Sequence, residues 1–398
     1  MPVKVEKSEP LLITFRSHHN AYQEGSGAQI IRYPEVNTVW SKISQIVVGM
    51  VVIHYFLWFI PMFLSLYLLY SLGYPVVSFI LLALYIPTYF NKDELKYGRP
   101  WEWIRQHSFW KYLQHYGQLE IVRECELDTD RKYIFGYHPH GILILSRIST
   151  YGGVFEKIFS GIEQRCLAAT PMFLLPGSRE ICLWMGAVRA DRSNAIRILQ
   201  TDKLNLLLYP GGSDEIFLTD PSSTETTIIA RKGFIRLALQ QGVDLVPSFV
   251  FGEKHAYRKL DIPESIKSFF MKNLRTPLII FWGRFFSWLP LSGKKIFLSV
   301  VHGKPIRVER MIPDPTDEEI DELYRQFYAE IRNLFNKYKG RYGYDENETL
   351  VIREAADKSS KGNVSNGVTN GHAKSLSKKA VLSSTSNGTN GVQNGFGH

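Results

Sequence analysis

From Ile43 to Asn91 the chain carries no Asp, Glu, Lys or Arg, although charged residues make up 21% of the whole. A charged side chain at the centre of a bilayer costs about 2.5 to 3.5 kcal/mol on insertion scales, so an apolar stretch of this length reads as membrane-embedded. The alternative is a buried core helix, but core helices seldom run far beyond about 20 residues without a polar face. Pro61, Gly73-Tyr74-Pro75 and Pro87 interrupt the stretch. They divide it into a long first arm, Ile43 to Leu72, and a shorter second arm, Val76 to Phe90. A helical hairpin over residues 43–90 is expected. The first arm has the roughly 20 residues that spanning requires; the second suits a tilted, re-entrant or wedged placement. Lys42 precedes the pair, and Lys92, Lys96, Arg99, Arg105 and Lys111 follow it, while the turn is uncharged. That bias puts both flanks, and both termini, on the cytosolic side. Tyr89, Trp101, Trp103 and Trp110 suit an interfacial belt.

After the apolar stretch the pattern changes to short apolar runs alternating with helical periods. Tyr133 to Tyr137, Leu204 to Tyr209 and Leu245 to Phe251 are strand-like in length and bounded by Gly or Pro. This is the order of an α/β domain with a largely parallel central sheet. Thr226 to Gly242 reads as a helix with Phe234, Leu237 and Ala238 on one face and Gly242 as its stop. Ile320, Leu323, Tyr324, Phe327, Ile331, Leu334, Phe335 and Tyr338 follow a 3.6-residue period, with Asp314 and Thr316 to Glu319 as capping residue and acidic first turn. That closing helix is expected to pack on the body without chemistry of its own. Past about Arg353 the chain turns to Ser, Gly, Asn and Lys, with Asn-Gly at 366, 370, 387, 390 and 394. Such a composition cannot bury enough apolar area to fold. The expected organisation is a polar segment 1–42, the hairpin 43–90, one domain 91–345 and a tail 346–398.

The N-terminal segment lacks the apolar core and cleavage site of a secretory signal, so the apolar stretch is expected to stay in the mature chain. Three cysteines, Cys125, Cys166 and Cys182, show no disulfide-framework or metal-ligand spacing, which fits reduced thiols. The net charge is +9, which suits an anionic membrane face or a phosphorylated small molecule. No nucleic-acid motif occurs, and sequons at Asn347, Asn363 and Asn387 are expected to stay unglycosylated in a cytosolic tail.

Three polar clusters follow directly on strand-like runs: Tyr137-His138-Pro139-His140-Gly141, Tyr209-Pro210-Gly211-Gly212-Ser213-Asp214-Glu215, and Phe251-Gly252-Glu253. In open α/β sheets, sites form outside the carboxyl ends of the strands, so these clusters are expected along one sheet edge. Histidine with an ordinary pKa near 6.5 can accept a proton from a hydroxyl, or the two rings can simply satisfy local backbone groups. The glycine turn can cradle an oxyanion or phosphate, or be a tight turn with solvated acids. Arg231 and Lys232 can bind phosphate, or sit on an exposed helix. There is no G-x-S-x-G, P-loop, G-x-G-x-x-G or H-E-x-x-H pattern, and no metal site is expected.

Together the motifs resemble the type 2 diacylglycerol acyltransferases, with the related monoacylglycerol and wax-alcohol enzymes. The resemblance rests on Phe135-Gly-Tyr-His-Pro-His-Gly141, Arg179-Glu180, Gly211-Gly212 with Glu215, Arg231-Lys-Gly-Phe-Ile-Arg-Leu-Ala-Leu239, Gly242 to Glu253, and Gly303-Lys-Pro-Ile306. It implies an acyltransferase-like domain that moves a fatty acyl group from acyl-CoA to a lipid hydroxyl, with diacylglycerol as acceptor. Monoacylglycerol or a long-chain alcohol, or a non-catalytic lipid-droplet scaffold, are the alternatives. The implied location is the endoplasmic reticulum and lipid-droplet surface. His140 is then the base, His138 assists or orients it, and Glu215 or Glu253 is the orienting carboxylate, since a His followed five residues later by Asp is absent. Gly141, Gly211 and Gly212 are candidates for the oxyanion and substrate. Arg189, Arg192, Arg231 and Lys232 are candidates for the CoA phosphates. Acyl-CoA is a co-substrate and no cofactor is expected. Membrane lipids are expected partners, nucleic acid is not, and a homo-oligomer stays an open option.

Overall fold

The computed structural model describes residues 11–13, 28–274, 278–291 and 297–355; the tail expected beyond them lies outside the described residues. At its centre is a nine-stranded sheet. Its order is Leu11–Ile13, Gln29–Arg32, Glu120–Arg123, Ser299–His302, Asp244–Phe251, Tyr133–His138, Leu204–Leu208, Glu163–Ala168, Ala187–Arg189. The last five strands run parallel to one another, and Ser299–His302 pairs antiparallel with Asp244–Phe251. The sheet is thus largely parallel, as the alternation of runs and helical periods predicts.

Both faces of these strands are buried, so their apolar residues divide by the two-residue period of a strand. Ile134, Leu206, Leu245, Phe249 and Val301 face one core with helices Arg192–Gln200, Gly233–Gln241 and Asp317–Tyr338. Phe135, Leu207, Val246, Val250 and Val300 face the other, with Val154, Phe155 and Ile158. Gly136 lacks a side chain where the Phe327 ring of the closing helix presses on its strand. That helix is capped by Thr316, whose hydroxyl accepts the Glu319 N–H while the Glu319 carboxylate accepts the Thr316 N–H.

Two elements differ from the sequence reading. Residues 226–242 are not one helix: Glu225–Ala230 is a strand, and the helix occupies only Gly233–Gln241, ending on Gly242 in the left-handed region at φ 62°. The β-branched run Thr226 to Ile229 favours the strand. Its parallel partner is Thr349–Glu354, so the fold extends into residues assigned to the tail. At the other end, Gln29–Arg32 joins the main sheet.

The apolar stretch forms helices Val39–Ile53, Phe59–Ser71 and Pro75–Tyr85. The long first arm breaks at His54–Trp58, not at Pro61, which lies in the first turn of its helix, where its missing N–H costs nothing. The second and third helices lie side by side, joined through Gly73 at φ 91° and linked by Ser78 Oγ donating to Leu66 O at 2.9 Å. Among the described residues no helix is long and apolar enough to cross a membrane, so the expectation of a transmembrane helix is not met by any of them. The stretch is tied to the sheet domain at its end. Tyr85 donates to Glu180 at 2.6 Å, and Arg179, 1% exposed, donates to Thr88 O at 2.8 Å and pairs with Glu94 at 3.2 Å.

Candidate active site

The three clusters lie at the carboxyl ends of three adjacent parallel strands, Asp244–Phe251, Tyr133–His138 and Leu204–Leu208. Glu215 joins two of them. Its fully buried carboxylate takes His138 Nδ1–H at 2.9 Å on one oxygen, together with the Ile229 N–H at 2.8 Å. The other oxygen accepts the His140 backbone N–H at 2.6 Å. Gly211 allows this, because a Cβ there would overlap the Glu215 carboxylate. The glycine turn therefore makes room for a carboxylate under the histidine turn. The Gly212 N–H is engaged inside that turn, donating to Tyr209 O at 3.1 Å.

His138 is wholly buried, its other nitrogen 3.4 Å from the Tyr328 hydroxyl. His140 is only partly buried. Its Nδ1 lies 2.8 Å from Gly141 O; a carbonyl accepts only, so Nδ1 carries the proton and Nε2 presents a lone pair. Burial holds the His140 pKa below its ordinary value, against smaller opposing effects of the Gly141 carbonyl and the Glu215 charge. A neutral imidazole with one fixed tautomer is what a general base requires.

Glu253 does not reach either imidazole among the described hydrogen bonds. One oxygen accepts the Ser146 N–H at 2.6 Å, and the other is buried without a partner. That carboxyl presses on Gly141, which sits at φ 65° with no room for a Cβ. Burial, with a smaller push from the Glu215 charge, raises the Glu253 carboxyl from 4.5 to about 8, the Ser146 bonds opposing. The folded chain therefore holds this proton through a range in which the unfolded chain has released it. The group's contribution to stability is full below pH 4.5 and falls as pH rises towards about 8. Glu253→Gln is expected to flatten that fall, so its melting temperature should drop less than that of the parent between pH 5 and 8; identical slopes would show that Glu253 is ionised in the fold.

Three contributors were given no role by the sequence reading, although Tyr209 opens one of its clusters. Tyr209 places its ring edge against His140, centroids 5.5 Å apart, and its hydroxyl lies 2.8 Å from Ser146 Oγ. Tyr328 belongs to the closing helix, expected to have no part in the site, yet it accepts the Arg231 N–H at 3.1 Å beside His138. The aromatic Tyr328 one step after Phe327 was the available signal.

The four basic candidates are not gathered together. Arg231 pairs with Asp214 at 2.5 Å and its guanidinium lies near Gly211 O, so it borders the site. Lys232 pairs with Asp321 on the closing helix. Arg189 ends the outermost strand, paired with Asp191, and Arg192 opens the following helix against Gln240. Two strands separate Arg189 from the histidines. Among the described residues no three His, Cys, Asp or Glu side chains are placed to hold a metal ion.

A largely parallel sheet with a carboxylate-anchored histidine turn at its carboxyl edge defines an α/β protein with its candidate active site there. Comparison with known proteins narrows the class. The family described as "Diacylglycerol acyltransferase" matches residues 69–353, and the chain belongs to that family; it is an acyltransferase of lipid metabolism. It is 31% identical to 2-acylglycerol O-acyltransferase 1 of Mus musculus over 269 residues, covering 64% of this chain and 80% of that protein. It is 33% identical to diacylglycerol O-acyltransferase 2 of Danio rerio over 269 residues, covering 64% and 74%. No solved structure matches the chain.

Proposed function

We propose that the protein transfers a fatty acyl group from acyl-CoA to the free hydroxyl of diacylglycerol, forming triacylglycerol. The observation that carries this reading is the His140 arrangement: a tautomer set by Gly141 O, a backbone held by Glu215, and an Nε2 without a hydrogen bond among the described residues. His140 Nε2 takes the hydroxyl proton as that oxygen attacks the thioester carbonyl carbon. The C–S bond breaks, and the proton passes to the departing thiolate. Glu215 and His138 hold the turn, and the Tyr209–Ser146 hydroxyl pair beside the ring offers a donor to the oxyanion. Arg231 at the rim is the best placed of the basic candidates for a CoA phosphate, because it borders the glycine turn.

The reading extends to location. The exposed apolar side chains of residues 39–90, including Trp40, Tyr67 and Val76 at 79%, 65% and 67% exposure, support embedding in one leaflet. With basic residues on both flanks, both termini lie in the cytosol, at the endoplasmic reticulum or a lipid-droplet surface. A second acceptor, monoacylglycerol, is favoured by the relative named for 2-acylglycerol.

The test supplies full-length protein in liposomes with labelled acyl-CoA and a panel of diacylglycerol, monoacylglycerol and long-chain alcohol. Diacylglycerol is expected to be the best acceptor. A higher kcat/KM on either of the others overturns the acceptor, and no transfer to any of them overturns the reaction.

A further inference from the structure

The large apolar side chains exposed among the described residues concentrate in two segments, 39–103 and 260–286. The second has no part in the chemistry above. It contains Leu260, Ile266 and Phe269 at 52%, 42% and 60% exposure, and Phe285 and Phe286 at 67% and 94%. The phenylalanine pair forms the tip of a tight turn in which both residues have positive φ, 57° and 56°. Bulky residues seldom adopt that region, and two in succession with their rings turned outward is doubly unfavourable in water. The tip is nonetheless firmly built. Gly283 N–H donates to Ser287 O at 2.6 Å and Arg284 N–H to Leu289 O at 2.8 Å, closing the turn.

The turn is also seated on the apolar N-terminal stretch. Trp288 stacks on His54 with centroids 5.5 Å apart and planes within 10°, and Leu289 fills the space left by Gly49. The amphipathic helix Glu264–Leu274 lies between the paired strands Arg258–Lys259 and Phe281–Trp282, the second of which leads directly into the turn. We propose that the Phe285–Phe286 turn, together with helix Glu264–Leu274, is a second membrane-contacting element that enters the acyl region of an anionic lipid surface beside the N-terminal helices.

Charge argues for that occupant. Residues 258–291 hold Arg258, Lys259, Lys267, Lys272, Arg275 and Arg284 against only Asp261 and Glu264. The Arg284 guanidinium sits 4.8 Å over the Phe285 ring, so a cation stands just behind the apolar tip. Cations behind apolar rings suit anionic headgroups above acyl chains. Lys259 is engaged by the Ile216 and Phe217 carbonyls and Lys267 by Glu264, but Arg258 and Lys272 stand exposed. Water leaves the rings exposed, and an uncharged protein partner leaves these two cations unanswered. The element rests on the membrane placement proposed above, and its role is to fix the tilt of the catalytic edge: one contact through the N-terminal helices permits rocking, and a second one stops it.

The test places an environment-sensitive fluorophore on full-length protein, in a Cys125→Ser background that leaves only the buried Cys166 and Cys182. Labels are attached at Phe286→Cys, at Leu64→Cys in the apolar stretch, and at Glu318→Cys on the exposed start of the closing helix. Vesicles of phosphatidylcholine, with and without phosphatidylserine, carry a nitroxide in the acyl chain. The expected result is blue-shifted emission and quenching at 286 several-fold stronger than at 318, increasing with phosphatidylserine. A quenched 64 with an unquenched 286 overturns this element and leaves the N-terminal placement standing; loss at both positions overturns both. Concentration-dependent self-quenching at 286 without lipid quenching assigns the surface to a second copy of the chain and overturns the proposal.

Discussion

His140→Ala is expected to lower acyl transfer by about 10²- to 10⁴-fold, the range for loss of a positioned general base, while leaving the melting temperature close to that of the parent. The separation follows from the geometry. Among the described residues the imidazole bonds only to the adjacent Gly141 carbonyl, and it is the residue's backbone N–H, which alanine keeps, that anchors the turn to Glu215. The pH profile gives a second readout. Burial lowers the His140 pKa, so the parent should keep its base form, and its rate, below pH 6.5, with an acid limb lying under that value. The same depression means that this residue's contribution to stability is present above the ordinary histidine value and is lost as acid protonates the folded ring. The alanine variant should lack both dependences. Wild-type rates in folded His140→Ala would remove the histidine from the chemistry.

Glu215→Ala should do the opposite, striking the fold and the reaction together. Three donors converge on that carboxylate, the His138 ring and the backbone N–H groups of His140 and Ile229. Each buried donor left unsatisfied costs about 1 to 3 kcal/mol. Even the low end of their sum, about 3 kcal/mol, corresponds to a fall of roughly 4 to 5 °C in melting temperature for a folded body of about 320 residues. Glu215→Gln is the sharper probe of mechanism, since its amide can serve some donors but turns its own N–H₂ towards another. Differential scanning fluorimetry alongside an acyl-transfer assay should therefore show an intermediate melting temperature with transfer still strongly reduced. A fully active, fully stable glutamine variant would reduce Glu215 to a space-filler.

How much of this could be read beforehand depended on the range of the interaction. The three strand ends were legible because strands buried on both faces give unbroken apolar runs, and Gly or Pro marks where each run stops. Their adjacency follows from parallel pairing, so the shared edge was legible too. Thr226 to Ile229 was not, because the helix that follows it lent its period to the whole window. Which acid would serve the histidines could not be decided either: Glu215 and Glu253 both follow strand ends, and only the space at Gly211 lets the first fold back. Tyr328 was hidden for a plainer reason, since it arrives from 190 residues away along the chain.

The join between Arg179 and the end of the apolar stretch bears on how this enzyme can be handled. Glu94, Thr88 O and Glu180 surround a guanidinium that is almost wholly out of water, and Tyr85 caps Glu180 from the same side. A chain shortened to begin after Phe90 would keep both carboxylates but strip Thr88 O and the Tyr89 ring from the guanidinium, uncovering a buried cation. The apolar helices are thus not a detachable tether. The N-terminal apolar helices and the catalytic body share the same buried contacts, and a version of this enzyme without those helices would have to be redesigned at Arg179 instead of simply being cut.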